Sequence, residues 1–110
     1  MTTSDTRDLP VEPDLLLIRK ALSMICGKWR LYIILVLGEQ TLRYSQLGEQ
    51  LLNVSEKVLA DELKALVALG VLHRTIYAEI PPRVEYTLTE KGRSALPLLM
   101  QIQQIGQLIS

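Results

Sequence analysis

Four lysine and arginine side chains are placed in the sequence so that they can bind anions at the protein surface. Lys57 and Lys64 are seven residues apart, so they share one face if this stretch is helical. Arg83 follows two consecutive prolines, which stiffen a loop, and Arg43 precedes a short helical pattern. Ammonium and guanidinium groups at fixed positions pair with carboxylate or phosphate oxygens. The sequence therefore indicates anion binding at a surface.

The residue sets that catalysis or metal binding needs are missing from the sequence. His73 is the only histidine and Cys26 the only cysteine, which excludes an internal disulfide and a cysteine-rich metal site. We find neither a glycine-rich phosphate loop nor a convincing nucleophile–histidine–carboxylate set. We therefore expect a protein that is not an enzyme and has no cofactor and no metal site. Cys26 is expected to be buried, and it is the one candidate for redox chemistry.

Length, charge and targeting features restrict the class of protein. A chain of 110 residues forms one domain. The formal net charge is zero, but the first fourteen residues contain four acids and one base, so the remainder is mildly basic. That distribution is compatible with nucleic-acid binding through a local patch. There is no signal sequence and no apolar run long enough to span a bilayer, and one thiol suits a reducing compartment. We expect a cytoplasmic protein without a membrane partner.

Hydrophobic periodicity predicts five helices and one hairpin. Polar residues 1–13 are expected to form a flexible tail, and residues 14–110 a single domain. Ser55 and Thr89 are predicted helix caps, and Pro97 should kink or split the last helix. The helical patterns cover residues 14–26, 28–40, 44–52, 56–69 and 89–109, and the period changes to two over residues 71–77 and 83–88.

The order of these elements predicts a winged helix-turn-helix. A short helix, a tight turn and a longer capped helix are followed directly by a hairpin. In this fold the second helix of the pair, here about residues 55–69, enters the major groove, and the wing, about residues 71–88, reaches the neighbouring backbone or minor groove. We thus predict a mainly α fold with a small β-hairpin wing. The predicted DNA contacts are Lys28, Arg43, Ser55, Glu56, Lys57, Ala60, Lys64 and Arg83.

Four stretches of the sequence resemble one family. They are GKW at 27–29, LRYSQL at 42–47, VSEKVLADELKALVALGVLHR at 54–74 and PPRVEYTLTEKG at 81–92. Together they make the chain similar to the HxlR-type winged-helix regulators, which share their fold with the MarR-type repressors. The resemblance implies a bacterial, homodimeric, DNA-binding transcription factor that dimerises through its N- and C-terminal helices, the latter at about residues 89–109. The interface residues that it implies are Leu15, Ile18, Leu22, Leu98, Leu99, Ile102, Ile105, Leu108 and Ile109.

Two departures from the family pattern limit the resemblance. Redox-sensing members carry a cysteine near the start of the first helix, and that position falls here at or near Leu16. Cys26 lies at the other end of the same helix. The resemblance therefore does not extend to a thiol switch. The last helix also ends in aliphatic residues where the family has an aromatic one.

The function expected from the sequence is transcriptional regulation by a homodimer on a pseudo-palindromic operator in double-stranded DNA. The alternative is a winged helix that serves as a protein–protein interaction module without DNA binding. Zero net charge and the acids Glu56 and Asp61 on the predicted recognition helix favour this alternative. Salt dependence distinguishes the two, because phosphate contacts weaken steeply with salt. The sequence names no operator, no direction of regulation and no small-molecule effector.

Overall fold

The computed structural model describes residues 12–110, which form five helices around a small sheet. The first eleven residues of the predicted tail lie outside this range. The fold class predicted from the sequence, mainly α with a β wing, is confirmed. The elements are α1 (Leu15–Ile25), α2 (Arg30–Leu37), β1 (Leu42–Arg43), α3 (Tyr44–Gln50), α4 (Glu56–Ala68), β2 (Leu72–Tyr77), β3 (Arg83–Leu88) and α5 (Glu90–Leu108).

Three polar side chains cap helices, and two of them, Ser55 and Thr89, are the caps that the sequence predicts. Asp14 accepts hydrogen bonds from the first amides of α1 at 3.0 and 3.1 Å. The Ser55 hydroxyl accepts from the Val58 amide at 3.1 Å, and the Thr89 hydroxyl accepts from the Gly92 amide at 3.1 Å. Each cap satisfies amides that a helix leaves unpaired, which stabilises it by about 1 kcal/mol.

Helix α2 lies at the centre of the protein. It is apolar on nearly all sides, and it contacts four other helices and β3. Gly38, with a positive φ of 51°, ends it as the glycine predicts, and α2 begins at Arg30, two residues later than the helical pattern that starts at residue 28. Trp29 is half-buried against the core instead of lying within it. The core consists of Ile33, Ile34, Leu37, Leu42, Leu47, Leu51, Leu59, Leu63, Leu66, Val71, Leu72, Tyr86, Leu88, Leu96 and Leu99.

The sheet has three antiparallel strands in the order β1–β3–β2. Strand β3 pairs with β2 in the predicted hairpin, and its other edge pairs with β1, where Leu42 lies opposite Tyr86. The strands predicted from the sequence, residues 71–77 and 83–88, do not include β1. A strand of two residues is too short to show a period of two, so the sequence pattern could not reveal it.

The turn after α4 and the start of α5 approach each other closely. The Thr89 hydroxyl donates to the Gly70 carbonyl at 2.7 Å, so one side chain both caps α5 and fixes this turn. Gly92 is buried, and a β-carbon there would lie 2.6 Å from the Val71 carbonyl oxygen. The sequence TEKG is therefore what lets α5 pack directly against the end of the sheet.

Helix α5 is continuous through Pro97, so the predicted split does not occur. Leu96 and Leu99 on either side of the proline are buried in the core and hold the two halves of the helix in place. Beyond Ile102 the helix is exposed, as is α1 before Ser23. The protein is consequently elongated, with extents of 63 × 29 × 23 Å.

Candidate nucleic-acid interface

The N-terminal turn of α4 is exposed and immediately follows the turn from α3. Ser55, Glu56 and Lys57 all face solvent, and Asn53 in the preceding turn has a positive φ of 70°. Asparagine tolerates this left-handed conformation better than most residues. The first turn of a helix presents unpaired amides and a partial positive charge. This end of α4 can therefore accept an anion.

The outward face of α4 carries the predicted contact residues. Lys57, Ala60 and Lys64 are exposed, whereas three leucines on the opposite face of the helix lie in the core. Lys57 Nζ lies 3.0 Å from the Asp61 carboxylate, with both side chains exposed, at 84% and 63%. A pair this exposed contributes at most about 1 kcal/mol, so a phosphate can displace the carboxylate.

Tyr44 ties the start of α3 to the start of α4. Its hydroxyl donates to the Glu56 carbonyl oxygen at 3.2 Å. Burial raises the pKa of Tyr44, and the nearby Glu56 carboxylate raises it further, so the phenol stays protonated at neutral pH. Arg43 precedes Tyr44; its amide donates to Gln46 Oε1 at 2.8 Å, and its side chain is exposed. The two helices of the helix-turn-helix are thus joined at the ends that face the same surface.

A groove separates the start of α3 from the wing. It has a volume of about 620 Å³, and the side chains of Arg43, Arg74 and Arg83 line it together with a single carboxylate, Glu79. The groove is therefore cationic. Arg74 is not among the residues predicted from the sequence. It lies in register opposite the buried Tyr86 and at the same strand parity as the buried Leu72, although its own side chain is exposed. The signal in the sequence is an arginine at a strand position where the alternation of the strand predicts an apolar, core-facing residue.

Arg83 does not lie in the loop at the tip of the wing, although the two prolines before it predict that position. It is the first residue of β3, and the tip consists of residues 78–82. Its guanidinium lies 3.1 Å from a Glu79 carboxylate oxygen and 3.5 Å from one of Glu85, and it stacks 4.0 Å from the centre of the Tyr77 ring. The side chain is only 26% exposed. The wing itself therefore already binds this cation.

Lys28 lies apart from the other predicted DNA contacts. Its ammonium lies 5.2 Å from the centre of the Trp29 ring. The side chain lines a separate groove with Ile102 and Gln103 of α5, and no other predicted DNA contact lines that groove. The structure thus brings together Arg43, the start of α4 and the wing, but not Lys28.

Most of the predicted dimer residues form exposed apolar faces on α1 and α5. Leu99 differs from the others: it is 8% exposed and belongs to the core of its own chain. Ile102 is half-buried. The exposed members are Leu15, Ile18, Leu22, Leu98, Ile105, Leu108 and Ile109.

Cys26 is exposed, and the prediction that it is buried is wrong. It is the residue that ends α1, and its amide donates to the Leu22 carbonyl. Within residues 12–110 no group of three histidine, cysteine or acidic side chains has the geometry to hold a metal ion. Over the same range, none of the helices combines the length and apolar character that crossing a bilayer demands.

Comparison with known proteins identifies the family of this chain. The family model for HxlR-like helix-turn-helix proteins matches residues 24–109. The chain belongs to the HxlR-like helix-turn-helix family. This HxlR-like protein is therefore a transcriptional regulator, which is a non-enzymatic role, and the predicted family is confirmed.

Individual relatives of the HxlR-like protein agree with this assignment. An uncharacterized HTH-type transcriptional regulator of Halalkalibacterium halodurans is 41% identical over 86 residues, which cover 77% of this chain and 76% of that protein. The HTH-type transcriptional regulator YdzF of Bacillus subtilis is 38% identical over 86 residues, 77% of this chain and 79% of that one. A crystal structure of a MarR-family regulator from Porphyromonas gingivalis W83 superimposes with a TM-score of 0.76 at 36% identity and covers 97% of both chains.

Proposed function

We propose that this HxlR-like regulator binds double-stranded DNA as a homodimer, with α4 of each copy in a major groove of a pseudo-palindromic operator. The observation that carries the proposal is the exposed first turn of α4 with Lys57, Ala60 and Lys64 facing outward. A helix that presents its N-terminus and an unobstructed face is the part of a helix-turn-helix that reads base edges.

The proposed contacts divide into two kinds. Arg43, Lys57 and Arg83 anchor phosphates around α4, and Lys28 is a further phosphate contact if the DNA extends toward the start of α2. The capped amides that follow Ser55 can also face a phosphate. Glu56, Ala60 and Lys64 are positioned on α4 to distinguish bases, where a carboxylate can accept from cytosine.

The homodimer is proposed from the apolar faces on α1 and α5. Leu15, Ile18 and Leu22 on α1 are 44–68% exposed, and Leu108 and Ile109 at the end of α5 are more than four-fifths exposed. A chain that leaves apolar faces of this kind on two helices is expected to cover them with a partner. A two-fold dimer places its two α4 helices about one turn of DNA apart, on the order of 34–36 Å.

The test measures DNA binding at two salt concentrations. Fluorescence anisotropy with DNA from upstream of the protein's own gene should show saturable binding that survives excess random DNA. For each phosphate contact the logarithm of affinity falls with the logarithm of salt concentration by about 0.9. Arg43→Ala and Lys57→Ala should each reduce affinity and lower this slope by about that amount.

Lys91→Ala is the matched control, because Lys91 is an exposed cation at the start of α5 and not among the proposed contacts. If both test variants retain the wild-type affinity and salt slope, these residues do not bind phosphate and the proposed surface is wrong.

The second candidate is regulation through a protein partner. Acids on the proposed DNA surface support it, since Asp61 is paired with Lys57 and Glu79 with Arg83. An interface of this kind would lose little affinity with salt. Absence of salt-sensitive DNA binding, together with a salt-insensitive protein complex, would favour this candidate.

A further inference from the structure

An ion pair joins the start of α2 to the middle of α4. Arg30 Nε donates to Glu62 Oε1 at 3.0 Å, and the two side chains are 24% and 17% exposed. Among the ion pairs of residues 12–110 this is the only one that connects two helices; the others lie within α4 or within the wing. Its screening by water is also much weaker than that of the Lys57–Asp61 pair.

The same arginine also holds α1. Arg30 Nη1 donates to the Ser23 carbonyl oxygen at 2.7 Å, in the last turn of α1. Up to Leu22 the side chains of α1 are exposed, and only Met24 and Ile25 of this helix pack against the core. The direction in which α1 leaves the protein therefore depends on few contacts, of which the Arg30 hydrogen bond is one.

Gly27 makes room for this junction. It has a positive φ of 104°, and a β-carbon at this position would lie 3.0 Å from the other Glu62 carboxylate oxygen. The turn between α1 and α2 thus passes directly against the side chain of α4 that binds Arg30. One guanidinium and one carboxylate meet at the point where α1, α2 and α4 come together.

We propose that Arg30 and Glu62 are a positioning pair that fixes the angle between α1 and α4, and thereby sets the half-site spacing that the homodimer accepts. The inference rests on the proposed function, in which α1 contributes to the dimer and α4 enters DNA. Because neither side chain belongs to the DNA-contact surface, the pair acts on where the two α4 helices lie and not on how each one binds. A rigid junction confines the dimer to one separation of α4 helices, and a loosened junction lets it accept several.

The experiment uses operators whose half-site centres are moved by one or two base pairs. Each added base pair shifts a half-site by about 3.4 Å and rotates it by about 35°. The wild-type protein should lose about tenfold or more in affinity for each base pair of misplacement. Arg30→Gln and Glu62→Gln should lose less than about threefold, because the α1–α4 angle is no longer fixed. Arg30→Lys, which keeps the charge, should show an intermediate loss.

Two readouts separate positioning from a general structural role. Affinity for a duplex with a single half-site, and its salt slope, should stay at the wild-type value in Glu62→Gln, because no DNA contact has been removed. Arg93→Gln is the matched control: Arg93 Nη1 also donates to a backbone carbonyl, but that carbonyl belongs to Leu88 in β3 and not to α1 or α4. It should keep the wild-type spacing profile. Melting temperatures identify any variant that does not fold. If either Arg30→Gln or Glu62→Gln does not fold, the spacing profile of the other variant tests the proposal.

Each outcome has one meaning. A flattened spacing profile in Arg30→Gln and Glu62→Gln, with unchanged half-site affinity, supports the positioning pair. An unchanged profile in folded variants overturns it, as does a wild-type protein that binds half-sites without any spacing preference. If the wild-type protein shows no specific, salt-sensitive DNA binding at all, the proposed function fails first and the inference falls with it.

Discussion

At the scale of single residues, Gly92 shows how one missing side chain determines packing. A β-carbon at this position would lie 2.6 Å from the Val71 carbonyl oxygen, which is part of the backbone and cannot rotate away. We expect Gly92→Ala to lower the free energy of unfolding by about 1–3 kcal/mol, because α5 has to move away from the sheet. Urea denaturation followed by circular dichroism measures this loss.

Gly106→Ala is the control for this prediction. Gly106 lies in α5 as well, but no atom lies within 4 Å of a β-carbon built there. Alanine in a helix is favoured over glycine by roughly 0.5–1 kcal/mol, so this substitution should leave stability unchanged or raise it. If the two alanine variants have the same free energy of unfolding, the close approach at Gly92 does not contribute to stability.

Residue roles could be predicted where they depend on near neighbours in the chain. Ser55 and Thr89 were identified as caps because a cap bonds an amide three residues later. The exposure of Cys26 was predicted wrongly, because it depends on how the end of α1 packs against the rest of the fold. The cation that we expected at the wing tip is instead bound by carboxylates that only the folded hairpin brings together.

At the scale of elements, the wing holds its own arginine. Arg83 lies between the Glu79 and Glu85 carboxylates and against the Tyr77 ring, so a phosphate has to compete with groups of the same hairpin. Glu79 is about half exposed, at 51%, so water screens its pair with Arg83. The wing as it stands is a weaker anion site than the sequence suggested.

Removing the carboxylate should strengthen DNA binding. Glu79→Gln removes the nearer of the two carboxylates that hold Arg83, and with it a negative charge from the groove beside α3. Operator affinity should therefore rise by up to about fivefold, which corresponds to an exposed ion pair of up to about 1 kcal/mol. Anisotropy titrations of the two proteins at low salt measure the change.

Glu39→Gln is the matched control, since it removes one carboxylate from an exposed site after α2, away from the wing. Equal effects of the two glutamine variants would mean that only the net charge matters. An unchanged affinity in Glu79→Gln would show that the wing arginine takes no part in binding.

Element types were easier to predict than their limits. The leucine spacing in α4 and the change of period after Gly70 identified the helix and the hairpin. The two-residue strand β1 was missed, because its membership of the sheet depends on pairing with β3 and not on a local pattern. Of the two predicted effects of Pro97, the split does not occur, because buried leucines on both sides outweigh the local effect of the proline.

At the scale of the whole molecule, the exposed ends of α1 and α5 predict self-association. Leu108 is 84% exposed, so Leu108→Asp should leave the fold intact while it places a charge on the proposed interface. We expect the variant to sediment as a monomer at concentrations where the wild-type protein is a dimer. Analytical ultracentrifugation over a concentration series measures this directly.

Leu52→Asp provides the comparison, because Leu52 is also largely exposed, at 74%, but lies in the turn after α3 and not on α1 or α5. It should sediment like the wild-type protein. A monomeric wild-type protein, or a Leu108→Asp variant with undiminished association, would contradict the proposed interface.

Trp29 gives the protein an optical reporter of its own. It is the only tryptophan in the chain, and it lies directly before α2, with the Tyr32 ring centre 6.5 Å away and the Lys28 ammonium over its face. The indole is half-buried and has a cation beside it, so its fluorescence emission changes when the Lys28 ammonium or the Tyr32 ring moves. Because α1 ends at Ile25, only four residues before this ring, the native fluorescence of the unlabelled protein can follow the movement of α1 as copies associate or as DNA is added.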